Sequence, residues 1–257
     1  MNSLEAANSA DLTQDEFLGG ALRLLQPKHG YRAGVDPVLL AASVDAKSGQ
    51  SVLDLGCGVG TAALCLARRV PGALVAGLEM QDMYADLARR NGAENGIAFE
   101  VITGDLADMP APFKARQFDH VIANPPYFDR RKSTPSEAPD KERALGEETP
   151  LSDWVQQAAK RVAPGGSVTF IHRVERLPEL LSAFQTRLGS LDLLPLAPRE
   201  NKRPRMVLLR GRKGGRADFS LFSPWVLHEG LAHDVDRENY TSSTISVLRD
   251  GAPLPFS

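Results

Sequence analysis

Ser51-Val52-Leu53-Asp54-Leu55-Gly56-Cys57-Gly58-Val59-Gly60-Thr61 decides the fold. A β-branched apolar run ends in three glycines at alternate positions, and Ala62-Ala63-Leu64-Cys65-Leu66-Ala67 follows. Ala63, Leu66, Ala67 and Val70 then share one helical face. Strand, tight glycine turn and helix open a doubly wound α/β unit. Glycines there let the backbone turn sharply and approach a ligand with no Cβ in the way. A dinucleotide fingerprint needs glycine where Thr61 stands and does not ask for Asp54 at the strand end. The Asp-x-Gly-x-Gly-x-Gly form suits a cationic adenosine cofactor rather than a pyrophosphate.

Seventy residues downstream, the apolar run Phe118–Ala123 meets Asn124-Pro125-Pro126-Tyr127. Two prolines remove two backbone N–H donors and fix φ twice, so a strand cannot continue through them. What remains is a rigid turn with an Asn amide, bare carbonyls and an aromatic face. Such a set suits a planar amino group, whose N–H donors need acceptors and whose π-system needs a stacking partner. Taken alone, the stretch is equally an ordinary proline turn.

The motifs together resemble class I S-adenosylmethionine-dependent methyltransferases, in that family's order, over roughly residues 30 to 210. The resemblance implies an α/β fold with a Rossmann-like seven-stranded sheet, mostly parallel with its last strand antiparallel, and helices on both faces. It implies that Asp54, Gly56, Gly58 and Gly60 hold the methionine moiety of the cofactor. Glu79, ending the strand Leu74–Glu79 beside Met80, would accept from the ribose hydroxyls. Asp105 with Leu106, after the strand Phe99–Thr103, would meet the adenine, and Asn124 also borders the cofactor. A carboxylate after a strand can equally be a helix N-cap or a solvated loop residue, but ligands of open parallel sheets bind at the carboxyl ends of strands. Strand five is Ser167–His172, entered through the turn Pro164-Gly165-Gly166.

Lys28-His29-Gly30-Tyr31-Arg32-Ala33-Gly34-Val35-Asp36-Pro37-Val38-Leu39-Leu40, the Asn-Pro-Pro-Tyr-Phe turn and Arg143-Ala144-Leu145-Gly146-Glu147-Glu148 are more specific. They resemble the bacterial tRNA(Val) adenine-N6 methyltransferase family. That resemblance implies a tRNA substrate methylated at the adenine 3′ of the anticodon, and it places Tyr31 and Arg32 at the cofactor mouth as a lid. Asn124 and the Pro125 carbonyl would accept the amino N–H bonds, with Pro126 rigidifying the turn and Tyr127 stacking on the base. A protein-glutamine N5 methyltransferase, an rRNA guanine-N2 methyltransferase and a silent RNA-binding module stay open as alternatives.

With 42% hydrophobic and 24% charged residues, the 257-residue chain has ample material for one core, and its net charge of −2 does not mark a nucleic-acid protein. Cations nevertheless concentrate locally. Arg199, Lys202, Arg203, Arg205, Arg210, Arg212, Lys213 and Arg216 face a single acid, Glu200, between residues 199 and 216, the pattern of a phosphate-binding patch. Arg130-Arg131-Lys132 open a polar, proline-bearing stretch from Phe128 to Pro150 that reads as a substrate loop. Arg199, Lys202, Arg203, Arg205, Arg212, Lys213 and these three are the candidate RNA contacts.

The domain reading is an N-terminal extension or lid (1–35), the methyltransferase domain (36–217) and a C-terminal extension (218–257). Residues 1 to about 15 are expected to fray, and Phe17–Leu25 to form a small hairpin or lid. Asp36 reads as a helix N-cap before Pro37. Leu177, Leu180, Leu181, Phe184 and Leu188 mark a helix, and Leu191–Pro195 and Met206–Arg210 the terminal antiparallel strand pair. No apolar run approaches the roughly 18 residues of a membrane helix, and the N-terminus shows no signal segment. Cys57 and Cys65 read as packing residues of a reduced, cytoplasmic protein. The five histidines show no zinc-ligand spacing, so no metal is expected. Residues 228–248 carry no legible chemistry.

Overall fold

The computed structural model describes residues 11–129, 146–147, 149–230, 239–254 and 256. It opens with β1 (Leu12–Phe17) and β2 (Leu22–Pro27), an antiparallel hairpin. Residues expected to fray from Leu12 onward are therefore strand-paired, because Leu22 and Leu24 alternate inward and are fully buried. Next come α1 (Asp36–Ala42), β3 (Ser51–Leu55), α2 (Thr61–Arg69), β4 (Leu74–Glu79) and α3 (Asp82–Glu94). They are followed by β5 (Phe99–Thr103), α4 (Ala111–Lys114) and β6 (Phe118–Ala123). A short parallel pair, β7 (Phe128–Asp129) and β8 (Gly146–Glu147), precedes α5 (Leu151–Arg161), β9 (Val162–Arg173) and α6 (Leu177–Gln185). The chain closes with β10 (Gly189–Ala197), β11 (Met206–Arg212), β12 (Ser220–Leu221), β13 (Trp225–Val226) and α7 (Ser242–Asp250).

The central sheet runs β5-β4-β3-β6-β9-β11-β10, parallel throughout except β11. Nine described strands form it rather than seven, since β12 and β13 of the C-terminal segment add parallel to the outer edge of β10. Another departure is at Pro164-Gly165-Gly166. This stretch does not precede the fifth strand but lies within β9, where Gly165 N donates to Lys213 O (3.0 Å) and Lys213 N donates to Gly166 O (3.0 Å). A register shift against β6 between Phe118 and His120 absorbs the irregularity.

Strand alternation sends Leu53, Leu55, Val121 and Ala123 to one face, with Trp154, Val155, Leu180 and Phe184 of α5 and α6. Val52, Val75 and Ile122 face the other way, under Leu39 and Leu40 of α1, Leu64 and Leu66 of α2, and Val247 of α7. Both sheet faces are thus covered, which is why these parallel strands read as near-continuous apolar runs. Both cysteines are buried and free. Among the described residues, no helix is long and apolar enough to cross a membrane and no cluster of His, Cys, Asp or Glu could hold a metal.

The hairpin is docked by two asparagines one helical turn apart. Asn91 Oδ1 accepts from Leu25 N (2.7 Å) while its Nδ2 donates to Leu25 O (3.1 Å). Asn95 repeats this with Arg23 N (3.0 Å) and Arg23 O (2.8 Å). The two carboxamides thus satisfy alternate residues on the free edge of β2 as a neighbouring strand would. Asn91 Nδ2 also reaches Val59 O (2.9 Å) in the glycine turn, tying the hairpin to it. Replacing Asn91 by Leu strands three backbone groups, so urea unfolding should show a loss of roughly 2–4 kcal/mol, with faster amide exchange at Leu25 before global unfolding. Unchanged exchange there would refute this docking role.

Candidate active site

Leu55 of β3 lies in register with Ala123 of β6, and from β3 the chain winds to β4 and β5 on one side before returning to β6 on the other. This is the topological switch point, where a crevice opens beyond the strand ends. A cavity of about 700 Å³ occupies it, and both motifs line it. Gly56 and Gly60 have φ of +66° and +89° and no room for a side chain. A Cβ on Gly56 would sit 2.6 Å from the Trp154 ring, and one on Gly60 would sit 2.7 Å from the Phe99 ring. Gly60 therefore serves the packing of the turn and is not among the lining residues, whereas Gly56 and Gly58 are. Glu79 locks the turn to β4: its Oε2 accepts from Gly58 N (2.9 Å) and its Oε1 from Gln81 N (2.9 Å). Burial raises this carboxyl and those backbone donors pull it back.

Asp54, at 2% exposure, is the least solvated acid of the cavity, and its Oδ2 has no hydrogen-bond partner. Burial pushes its pKa up to about 8, against the backbone hydrogen bond from Ala63. Thr61 Oγ1 and Trp154 Nε1 are likewise buried and unpartnered, and both residues line the same cavity. Three unmet polar atoms in one cavity are costly unless a ligand meets them. Met80, Asp105 and Leu106 complete that wall. Asp105 is exposed, and its Oδ1 already accepts from Ala107 N (2.8 Å), which is the turn-capping role of a carboxylate after a strand.

Asn124 and Tyr127 face the glycine turn across the cavity. The Tyr127 hydroxyl lies 2.6 Å from Asp36 Oδ2 and 2.9 Å from Asn124 Oδ1, and its ring meets His172 edge-on at 5.6 Å. Asn124 Nδ2 lies 3.4 Å from the Tyr31 hydroxyl. Burial first, then the Asp36 charge, raises both phenols. Burial lowers His172 to about 4, so it is neutral. Tyr31 is held from behind, its N donating to Tyr84 Oη (2.9 Å).

Several sequence expectations need correction. Asp36 is not an N-cap: α1 starts at Asp36 with Val35 in the cap position, and the carboxylate serves Tyr127 instead. Arg32 does not line the cavity; its guanidinium bonds Asp15 Oδ2 (2.7 Å), Thr13 Oγ1 (2.7 Å) and Pro27 O (3.1 Å), bracing the hairpin. The basic stretch does not form one patch, because β11 carries its two halves to opposite edges of the sheet. At 3.3 Å per residue, seven strand residues separate them by roughly 20 Å. Lys202, Arg203 and Arg205 stay exposed on the carboxyl edge that holds the cavity, while Arg212 and Lys213 lie on the far edge. Lys213 Nζ there caps α5 through Ala159 O (2.8 Å) and Val162 O (3.0 Å). Arg199 is buried, bonded to the carbonyls of Glu229 and Gly230. Arg130, Arg131, Lys132 and Arg143–Leu145 lie outside the described residues. Sequence reasoning missed Thr61, Tyr84, Trp154 and His172 as site residues; Thr61 closes the glycine motif, and the other three stand outside the turn motifs.

A family model described as the methyltransferase small domain matches residues 33–185. A Porphyromonas gingivalis relative named tRNA1(Val) (adenine(37)-N6)-methyltransferase is 33% identical over 198 residues, 72% of this chain and 76% of its own length. A Haemophilus influenzae relative of the same name is 28% identical over 226 residues, 85% of this chain and 90% of its own. Among solved structures, a predicted O-methyltransferase from Agrobacterium tumefaciens superposes with a TM-score of 0.67 at 25% identity, covering 86% of this chain and 98% of that one. A Thermus thermophilus 16S rRNA N2 methyltransferase, solved with AdoMet and guanosine, gives 0.54 at 21% identity over 79% of this chain and 50% of that one.

An aspartate with a raised native pKa destabilises the fold as pH rises: the unfolded chain has released a proton that the native state still binds. For Asp54 that window runs from 3.8 to about 8. Asp54→Asn should therefore stabilise the ligand-free protein by roughly 1–3 kcal/mol at pH 7.5 and by much less at pH 5. Urea unfolding at the two pH values checks this; equal effects at both would show that Asp54 is not the titrating group.

Proposed function

We propose that this chain, which belongs to the methyltransferase small domain family, transfers the methyl group of S-adenosylmethionine to the exocyclic N6 of an adenine in tRNA, beside the anticodon. One observation carries the reading: an Asn-Pro-Pro-Tyr turn and an Asp54 whose Oδ2 has no partner share one cavity at the switch point. The relatives' names supply the nucleic acid and the base.

The cavity fits the cofactor. Its unpaired atoms complement an amino acid joined to a nucleoside: Asp54 suits the ammonium, and Thr61 and the Trp154 indole N–H suit oxygen acceptors. Glu79 and Asp105 keep lone pairs for hydroxyl and amino donors after accepting their backbone bonds. When bound, S-adenosylmethionine supplies an electrophilic methyl on its sulfonium. All else falls to the protein.

An adenine amino lone pair is delocalised into the ring. Acceptors on both its N–H bonds, the Asn124 oxygen and the Pro125 carbonyl, favour a more tetrahedral nitrogen with an available lone pair. Tyr127 lends its ring face to the base while its hydroxyl stays tethered to Asp36. Holding the nitrogen in line can supply about 7–11 kcal/mol of the barrier in favourable models. No base is required before attack, since the methylated amine is acidic and releases its proton afterwards. An anticodon-loop base is already unpaired, which spares the cost of extruding it. Lys202, Arg203 and Arg205 on the same edge meet the tRNA phosphates. We place the protein in the cytoplasm, where its tRNA substrate and reduced cysteines belong.

Labelled-methyl transfer to unmodified tRNA, read as N6-methyladenosine by mass spectrometry, tests the reading. Asn124→Ala should lower kcat by about 10²–10³-fold while the cofactor Kd moves less than about threefold. Label in ribosomal RNA or protein but not tRNA would overturn the substrate. Removing Lys202, Arg203 and Arg205 together should raise KM for tRNA and flatten its log–log salt dependence by about two. Arg212→Ala should do neither; an equal effect from both edges would remove the carboxyl-edge assignment.

A further inference from the structure

We propose that Asp36 is a positioning residue of the transfer: acting through the Tyr127 hydroxyl, it sets which end of the Asn124 carboxamide faces the substrate's amino group. The proposal deepens the tRNA-adenine reading and rests on it for the identity of the substrate.

An aspartate opening a helix usually caps it or meets its dipole. Asp36 makes no capping hydrogen bond in α1, and its Oδ2 lies 2.6 Å from Tyr127 Oη, the separation of a charge-assisted O–H···O⁻ bond. Asn124 Oδ1 lies 2.9 Å from that same hydroxyl. A phenol has one proton and cannot donate to both.

Two arrangements balance the protons. With Asp36 ionised, Tyr127 donates to Asp36, and the carboxamide turns its Nδ2 toward Tyr127 Oη. Its Oδ1 then lies on the Tyr31 side, free to accept. With Asp36 protonated, the carboxyl donates to Tyr127 and Tyr127 donates to Asn124 Oδ1, leaving Nδ2 on the Tyr31 side at 3.4 Å from that hydroxyl. One proton on Asp36 separates the two, and no bond to carbon forms or breaks. An amino group brings donors, so the ionised arrangement presents the acceptor it needs and is the productive one.

Among the described residues, few groups face this proton. Tyr127 comes from the turn after β6 with Tyr31 near its hydroxyl, and the Asp36 and Asp54 charges both act on Tyr31. Neutral His172 of β9 meets the Tyr127 ring edge-on. The charges of the helices packed on α1 lie at its other end: Arg69 of α2 bonds Ala41 O and Val44 O. Burial raises Asp36 from the ordinary carboxylate range, opposed by the Tyr127 hydrogen bond.

The test follows the Asn124 side-chain NH₂ resonances by ¹⁵N NMR from about pH 4 to 9, alongside kcat at saturating tRNA and S-adenosylmethionine. In the unaltered protein the Asn124 signals should shift through one titration with a midpoint above an ordinary carboxylate. Asp36→Asn and Tyr127→Phe should each abolish that shift, so either variant serves if the other fails to fold. Asp36→Asn should lower kcat about tenfold or more with both KM values within about twofold, and Asp36→Glu should restore part of it. In the Tyr127→Phe background, Asp36→Asn should cost nothing further. A pH-independent Asn124 signal, or losses that multiply in the double variant, would overturn the proposal. A titrating Asn124 in a protein that leaves tRNA unmethylated would uphold the coupling and remove the tRNA substrate instead.

Discussion

Parallel pairing of β3 with β6, in the register that sets Leu55 beside Ala123, is the constraint on which the rest depends. It brings a glycine turn and a proline turn, nearly seventy residues apart in the chain, to one edge of one sheet. Parallel strands need long crossovers, so the two turns can be neighbours only if β4, α3, β5 and α4 are wound out and back between them. Slipping the register by one residue would turn Asp54 into the opposite core face and the apolar side chains with it. Burial of Leu53, Leu55, Val121 and Ala123 holds that register.

The site built on this edge is locally unfavourable. Asp54 Oδ2, Thr61 Oγ1 and Trp154 Nε1 are all dry and unpaired. Each would be costly in an ordinary core. The surrounding layers offset the cost, with Phe113, Phe118, Phe170 and Phe184 among the fully buried side chains on one face. A second kind of tension lies in the Asp36, Tyr127 and Asn124 cluster, where three side chains share fewer protons than they have contacts. Both features concentrate where a ligand would relieve them, the usual place for a protein to hold strain it does not need for folding.

The N-terminal hairpin links folding to the site. Asn91 joins it to the glycine turn, Tyr84 carries the backbone of Tyr31, and Arg32 braces the hairpin from below with Asp15. Tyr31 therefore stands over the cavity because elements from three distant stretches of chain meet there. The C-terminal segment plays a comparable part on the far side, adding two strands to β10 and packing Val247 of α7 under the sheet.

Local rules were sufficient for β3, β4, β5 and β6, since an apolar run closed by glycine, an acid or proline specifies where a strand stops without reference to anything distant. They also placed Asp54, Glu79 and Asn124 at strand ends, and hence on the cavity. They failed where a side chain's partner is remote. Asp36 looked like a cap because capping is a local event, whereas Tyr127 is 91 residues away and met only through the sheet. Arg32 and Arg199 looked like ligand contacts because a cation's partner cannot be read from its neighbours; both are consumed by intramolecular acceptors. The basic run from 199 to 216 was continuous in sequence, yet an extended strand through its middle put its halves on opposite edges. The sequence by itself determined the parallel strands of the central sheet and the two turns that border the cavity, because periodicity and turn chemistry act within a few residues. Tertiary structure alone decided which charges remain available and which protons are shared, because those depend on distances that only long-range packing sets.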